Sequence, residues 1–201
     1  MATETKLRQL ADKGCPVYYF YSSERYLVRQ AVTAITRILT ADSDEDATVL
    51  DGAAPEIEQL IMAAGTISFF GTRRVVVLPE IDPAAYSDKD LEELNSTLSS
   101  LENAVVVLGS VFELERSKLK TGKRAQKLIA QCKALGYTEE LAKPKPFELK
   151  MMMIDRAKEQ KTTLPDGAAA ALLERSGEDP FLLENEVDKL CALSGYQTVT
   201  A

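Results

Sequence analysis

The sequence contains no histidine and no tryptophan among its 201 residues. Without histidine the chain cannot form a Ser-His-Asp triad, a Cys-His catalytic pair or a His-ligated metal site. Lysine and arginine number 24 against 31 aspartates and glutamates, which gives a formal net charge of −7. That balance argues against a general nucleic-acid binder, which carries a basic domain or stripe. We therefore favour a binding protein over an enzyme and nominate no catalytic, cofactor-binding or metal-binding residue.

Cysteines and long apolar runs are also scarce. Cys15, Cys132 and Cys191 are odd in number and far apart, so they predict neither a CxxC pair nor a disulfide framework. We expect all three to be small buried apolar side chains. The polar N-terminus does not resemble a signal peptide, and no apolar run approaches the roughly 18 residues of a membrane span. These features predict a cytoplasmic protein that makes no membrane contact.

Short apolar runs alternate with helical patterns up to Lys143-Pro144-Lys145-Pro146, and only helical patterns follow. Strands apolar on both faces, alternating with helices, predict a parallel sheet with helices on both faces. We therefore expect an α/β domain over residues 1–143 and a small three-helix domain over residues 144–201. The predicted strands cover residues 17–21, 47–50, 74–78 and 104–108, with a weak fifth over 137–141.

Several helix boundaries can be assigned from local residue preferences. Ser87 precedes a leucine-rich helical pattern and is expected to be its N-cap, and Ser22 or Ser23 is expected to cap the helix after the first strand. Asp179 followed by Pro180 predicts the start of the last helix. Consecutive residues point around a helix axis, so the run 151–153 of three methionines is interpreted as core packing.

An α/β domain followed by a small helical bundle is the layout of AAA+ ATPase modules, so the phosphate-binding loop is the decisive motif. That loop needs glycines, a lysine and a Ser or Thr directly after a strand. The first predicted strand is followed by SSERYL instead, and Gly122-Lys123 follows no strand. The strand at 74–78 leads to Glu80, a weak remnant of the acidic pair that would hold Mg²⁺. We therefore expect no ATP hydrolysis by this chain.

Two adjacent phenylalanines, Phe69 and Phe70, lie between a helix that ends near Gly65 and a strand that begins near Arg74. Adjacent side chains diverge in a non-helical segment, so one pocket can hardly hold both. One interpretation buries one ring under the sheet and leaves the other on the surface, where lone apolar residues are common. The other makes the pair a protruding anchor for a partner's pocket. The residues alone favour neither interpretation.

All charged residues from Arg116 to Lys133 are basic, whereas no basic residue occurs between Arg37 and Arg73. A basic helix can contact phosphates or an acidic partner subunit. A solvated helix face is the alternative that we favour, because no aromatic residues are interleaved for base stacking. The candidates for a subunit or DNA contact are Lys120, Lys123, Arg124 and Lys127.

Three segments resemble the delta-subunit family of bacterial DNA polymerase III. FYSSERYLVRQA is similar to the family's GxExYLxxxA opening, with Ser22 or Ser23 where the family often has glycine. ISFFGTRRVVVL resembles the family's small-apolar-Phe-x-x-Arg segment that leads into an apolar strand. ERSGEDPFLLENEVDKLCALSG resembles its second-domain pattern of Gly-x-Asp and an Asn-Glu-x-x-Lys-Leu helix. The three occur in the family's order along nearly the whole chain.

The resemblance implies an AAA+-like fold without nucleotide hydrolysis, in a non-catalytic clamp-loader subunit of the polymerase holoenzyme. In that family an apolar pair inserts into a pocket of the ring-shaped sliding clamp (the beta subunit) and opens the ring for loading on primed DNA. Carried over by position, the pair is Phe69 and Phe70, flanked by Ile67 and Ser68. Phe69 stands where the family usually has an aliphatic residue.

The implied partners are the clamp and the other clamp-loader subunits, of the ATPase and delta-prime types, with primed DNA contacted only weakly or indirectly. Family members carry a third, helical collar domain, and the expectation is a truncated chain that lacks it. Two other functions stay open at this point: a degenerate AAA+ nucleotide-dependent switch, and a scaffold module that uses the basic helix.

Overall fold

A computed structural model describes residues 4–41, 43, 45–65, 73–116 and 118–199. The chain divides into two compact units, one ending at Ala142 and the other beginning at Lys143. Each unit has its own apolar core. The elements of the first unit are α1 (Glu4–Asp12), β1 (Val17–Ser22), α2 (Arg25–Leu39), β2 (Thr48–Val49), α3 (Ile57–Gly65), β3 (Arg74–Leu78), α4 (Asp88–Ser99), β4 (Ala104–Val111), β5 (Leu114–Glu115), β6 (Lys118–Leu119), α5 (Lys123–Leu135) and β7 (Tyr137–Glu140).

Five of these strands form one parallel sheet in the order β2-β3-β4-β1-β7. The predicted α/β class, with a parallel sheet of about five strands, is thereby confirmed. β4 continues three residues beyond its predicted end at Leu108, because Gly109, Ser110 and Val111 pair with the end of β1. The short antiparallel pair β5–β6 was not predicted, since its strands have only two residues each and little apolar character.

The two faces of the sheet have different helical partners because successive strand residues point to opposite sides. Val17, Tyr19, Val76 and Val106 pack with residues of α3, α4 and α5. Tyr18, Phe20, Val75 and Val107 pack with residues of α1 and α2. The domain therefore has three layers, as the doubly apolar strands predicted.

The second unit consists of three helices, α6 (Pro146–Glu159), α7 (Asp166–Ser176) and α8 (Pro180–Leu193). Leu149, Met153, Ala169, Leu183 and Val187 form the centre of its core. Met152 is buried as well, whereas Met151 is exposed, so two of the three methionines belong to the core, which confirms the core interpretation of the methionine run. A bidentate ion pair from Arg156 to Asp188 joins α6 to α8.

The local predictions at helix ends have mixed outcomes. Ser87 caps α4 by accepting from the Asp90 amide, and Asp179 caps α8 directly before Pro180, as predicted.

The prediction for α2 is wrong, because Glu24 is the N-cap residue and makes no side-chain cap. Ser22 belongs to β1, and its hydroxyl donates to the Leu141 carbonyl over 2.6 Å, so Ser22 joins β1 to the chain after β7.

The cysteine prediction is wrong in one position. Cys132 and Cys191 are buried, but Cys15 is half-buried. Cys15 lies in the connection between α1 and β1, and it lines a cleft that leaves its side chain partly accessible.

Candidate functional site

The four predicted clamp-binding residues, Ile67, Ser68, Phe69 and Phe70, lie outside the described residues. The segment that contains them, residues 66–72, is bounded on one side by Gly65 at the end of α3 and on the other by Arg73 before β3. α3 exists because Ile57 and Leu60 recur at helical spacing and are buried against the sheet. Two further apolar residues of α3 are exposed, Ile61 at 46% and Met62 at 72%.

The end of the segment nearest β3 is attached to the sheet through Arg73. The Arg73 guanidinium donates to the Gly14 carbonyl over 2.8 Å and to the Ala104 carbonyl over 3.2 Å. The next residue, Arg74, donates its amide to the Asn103 carbonyl over 3.0 Å. Its guanidinium forms a half-buried ion pair of 3.0 Å with Glu45. Two consecutive arginines thus connect this point of the chain to separate neighbouring segments.

A shallow cleft of about 270 Å³ lies beside Arg73. Its walls include Gly14, Cys15, Leu39 and Val105, so the cleft is largely apolar. The cleft lies at the amino ends of β1, β3 and β4, the edge at which residue 73 enters β3. Nucleotide sites in open parallel α/β sheets lie at the opposite, carboxyl edge.

At the carboxyl edge of the sheet, where open parallel α/β sheets bind nucleotides, lies an ion-pair cluster. Glu80 follows β3 by two residues, and its carboxylate contacts Arg25 and Arg29 at the start of α2. The Arg29–Glu80 distance is 3.3 Å, and the Arg25 guanidinium lies closer still. A Walker B carboxylate would instead hold Mg²⁺ and orient water. Glu80 is thus engaged by two cations of its own chain.

Three residues of the basic stretch, Lys120, Arg124 and Lys127, pair with acidic residues of the same unit. Arg124 binds Asp88 over 2.7 Å and the Ala84 carbonyl over 3.1 Å, and Lys127 binds Glu92 over 3.0 Å. Lys120 lies 3.8 Å from Glu113, and Lys123 is exposed at the first turn of α5. The hydrogen bond and charge of Arg124 lower the pKa of Asp88. The structure therefore brings Arg124 and Lys127 together along the α4–α5 seam.

Two strongly perturbed groups of the first unit are buried packing residues. Burial raises the pKa of the Cys132 thiol to about 12 and that of the Tyr86 hydroxyl to about 12. Both groups stay protonated at neutral pH and cannot act there as a nucleophile or base. Within the described ranges, no three His, Cys, Asp or Glu side chains are grouped to hold a metal ion. Likewise, none of the helices described here is long and apolar enough to cross a membrane.

Sequence reasoning missed two of these arrangements. The pairing of Glu80 with α2 was accessible in principle, because Arg25 and Arg29 are one helical turn apart and the carboxyl ends of parallel strands share an edge. The Arg73 attachment was not, since its acceptors are main-chain carbonyls. Neither carbonyl leaves a signal in side-chain composition.

Comparison with known proteins gives the same fold and identifies the family. The Bacillus subtilis DNA clamp loader delta protein has a TM-score of 0.62 at 23% identity, over 98% of this chain and 60% of that chain. A DNA polymerase III gamma subunit-related protein from Thermotoga maritima has a TM-score of 0.58 at 17% identity, over 96% of this chain and 60% of that one. The fold is therefore that of AAA+-like clamp-loader proteins.

The sequence profile described as "DNA polymerase III, delta subunit" matches residues 18–135. DNA polymerase III subunit delta of Bacillus subtilis is 27% identical over 199 residues, which cover 90% of this chain. The chain belongs to the DNA polymerase III delta subunit family. It spans 52% of the length of that relative.

Proposed function

We propose that this chain is a non-catalytic clamp-loader subunit that binds the sliding clamp through Phe69 and Phe70 and opens the ring for loading on primed DNA. The observation that carries the proposal is the family match, which extends on both sides of the phenylalanine pair. Ile67 and Ser68 flank the pair and complete the contact. Burial of two phenylalanine side chains contributes about 1.5–3 kcal/mol each before the costs of association.

The surroundings of the segment support this role. The exposed apolar residues Ile61 and Met62 lead into it from α3, and Arg73 attaches its other end to the sheet. Binding residues are positioned more precisely when rigid elements of the scaffold support them. These features favour the anchor interpretation of Phe69 and Phe70 over burial beneath the sheet.

The ion pairs at the carboxyl edge of the sheet support a non-catalytic role for this chain. Arg25 and Arg29 neutralise Glu80 and occupy the space beside it. We propose that nucleotide hydrolysis comes from ATPase-type subunits of the loader, and that this chain contacts them and a delta-prime-type subunit in the cytoplasm. Arg124 and Lys127 already have acidic partners, so we expect primed DNA to bind weakly or indirectly. Lys120 and Lys123 remain candidates for a subunit contact.

The proposal is tested by equilibrium binding of the purified chain to its cognate clamp. We expect the double variant F69A/F70A to bind more than about 100-fold more weakly, since losing roughly 3 kcal/mol or more corresponds to that factor. A matched control is F147A/F181A, which removes two phenylalanines that are 68% and 58% exposed in the second unit. The control should bind like the parent. Parent-like affinity of F69A/F70A would refute the proposed site.

A further inference from the structure

We propose that the β5–β6 hairpin and the first turn of α5 form a docking surface for an acidic protein partner. Its apolar centre is Leu114, and its cations are Arg116, Lys118 and Lys123. The partner is taken to be another subunit of the clamp loader, which rests on the proposed function. The surface is separate from the phenylalanine pair, so it can be tested without the clamp.

The base of the hairpin is attached to the carboxyl edge of the sheet. Phe112, two residues before β5, is buried against Tyr21 with ring centroids 5.9 Å apart, and its amide donates to the Ser22 carbonyl over 2.8 Å. At the other strand, the Lys120 amide donates to the Glu113 carbonyl over 2.8 Å. The side chains of the hairpin therefore extend from a fixed backbone and are placed more precisely than on a free loop.

One face of the hairpin is apolar. Leu114 and Leu119 are directly opposite each other in the antiparallel pairing, so their side chains lie on the same face. Leu119 is half-buried, whereas Leu114 is 54% exposed. A single exposed leucine is common on protein surfaces, so Leu114 indicates a docking site only together with the charges of the same surface.

Three cations of this surface have no acidic partner in the part of the chain that the structure describes. Arg116, Lys118 and Lys123 are exposed and form no ion pair there, whereas three neighbouring cations bind acidic groups of the same unit. The two strands of the hairpin carry one acidic residue, Glu115, opposite Lys118. The unpaired charge of the surface is therefore positive, which is complementary to an acidic partner.

The backbone of Arg116 is a second sign that its side chain serves a partner. Arg116 lies in the turn of the hairpin with φ of 49°, in the left-handed region. Glycine adopts this conformation at lower cost than arginine does. No ion pair within the described chain offsets that cost, so a contact outside the chain best accounts for the guanidinium at this position.

The composition of the surface favours a protein over nucleic acid. No aromatic residue lies between Phe112 and Tyr137 to stack on bases. The net charge of −7 on the whole chain opposes its approach to a phosphate backbone. An exposed leucine with cations beside it instead matches the apolar core and polar rim of a protein interface. The complementary surface is an apolar depression with Asp and Glu side chains at its rim.

The experiment measures association and dissociation rates of the purified chain on the cognate ATPase-type and delta-prime-type loader subunits, each immobilised separately. We expect the parent to bind at least one of them. R116Q/K118Q/K123Q should bind it about tenfold more weakly, through slower and less salt-dependent association, because rim charges act mainly on the encounter. L114S should also bind about tenfold more weakly, but through faster dissociation, because it removes a buried contact. A second arm measures binding to a short DNA duplex.

Matched controls remove the same chemistry elsewhere. K13Q/K89Q/K133Q takes away three exposed lysines, and L193S replaces a leucine that is 83% exposed in the second unit. Both should bind within about twofold of the parent, as surface substitutions outside an interface do.

The variant R116G separates binding from folding. It relieves the left-handed backbone, so it should bind severalfold more weakly while its unfolding temperature stays at or above that of the parent. A lower unfolding temperature would show that Arg116 serves the fold, and would overturn its assignment to the surface.

The remaining outcomes distinguish this surface from the proposed clamp site. A parent that binds neither subunit, or equal losses in the hairpin variants and their controls, overturns the docking surface. Weaker duplex binding by R116Q/K118Q/K123Q with unchanged subunit binding assigns the cations to nucleic acid and overturns it as well. F69A/F70A should bind the loader subunit like the parent. If F69A/F70A also binds the clamp like the parent, the proposed clamp site fails while the docking surface stands.

Discussion

At the scale of single residues, two glycines in the first unit are required by close backbone approaches. A Cβ atom at Gly109 would lie 2.2 Å from the Pro79 carbonyl oxygen and 2.7 Å from a methyl group of Val28. A Cβ at Gly136 would lie 2.1 Å from the Val17 carbonyl oxygen. Both glycines therefore allow strands and connections to pack more closely than any larger residue would permit.

We expect G109A to lower the free energy of unfolding by about 3 kcal/mol, because the clash is with main chain that cannot rotate away. Chemical unfolding followed by circular dichroism measures the loss. G122A is the control, since nothing lies within 4 Å of a Cβ at Gly122, and it should cost about 1 kcal/mol or less. Equal losses in the two variants would contradict this account of Gly109.

The same scale shows which local features the sequence could reveal. The caps Ser87 and Asp179 were predictable because each acts within three residues of its own helix. Ser22 was assigned wrongly because its partner, Leu141, is distant in the sequence and becomes a neighbour only in the folded sheet. Contacts of that kind leave no mark on local residue preferences.

At the scale of elements, polar contacts join the neighbouring helices α4 and α5. The apolar pattern of the sequence predicts that these helices pack on the sheet, but it does not predict these contacts. Asp88–Arg124, Glu92–Lys127 and Ser99–Gln131 connect α4 to α5 in sequence along both helices. The basic stretch is thus explained in part by an acidic neighbour in its own domain. Each exposed ion pair of this type contributes little to the free energy of folding.

In the second unit, the corresponding link is the ion pair from α6 to α8. Asp188 accepts two bonds of 2.8 Å from Arg156 and a further one from Gln160. The hydrogen bond from Arg156 lowers the pKa of Asp188 below its ordinary value. Because the unfolded chain then binds more protons, the stabilisation is complete above the unfolded pKa of about 3.9 and is lost as pH falls through the native value.

We therefore expect D188N to destabilise the second unit by about 1 kcal/mol at pH 7, with the difference from the parent smaller at pH 3, below the unfolded pKa of about 3.9. Native-state hydrogen exchange of α6 and α8 amides measures this loss of stability at each pH. D155N, which removes an exposed pair to Lys158, should have little effect at either pH. A difference for D188N that is the same at pH 7 and pH 3 would exclude this linkage.

Element prediction succeeded where apolar residues repeat strongly and failed where elements are short. β1, β3 and β4 were predicted because runs such as RVVVL and AVVVL are apolar on both faces. β5 and β6 were missed, since strands of two residues each carry no periodicity. The place of the candidate segment between α3 and β3 followed from the sequence, whereas the Arg73 bonds that attach it required the folded sheet.

At the scale of the whole molecule, the first unit has the layers of an AAA+-like module. At the carboxyl edge of its sheet, an acidic residue forms ion pairs within the same chain. Arg25 and Arg29 hold Glu80 there. The proposed working surface is connected to the opposite edge of the same sheet through Arg73. Under the proposed function, binding energy alone would open the ring, without nucleotide consumed in this chain.

Release of the clamp from closed circular DNA tests that claim most directly, because a closed ring cannot leave a circle unless it opens. We predict that adding this chain without any nucleotide releases the clamp, that F147A/F181A does the same, and that F69A/F70A leaves the clamp on the DNA. Release that requires ATP, or release by F69A/F70A at the parent rate, would contradict the account.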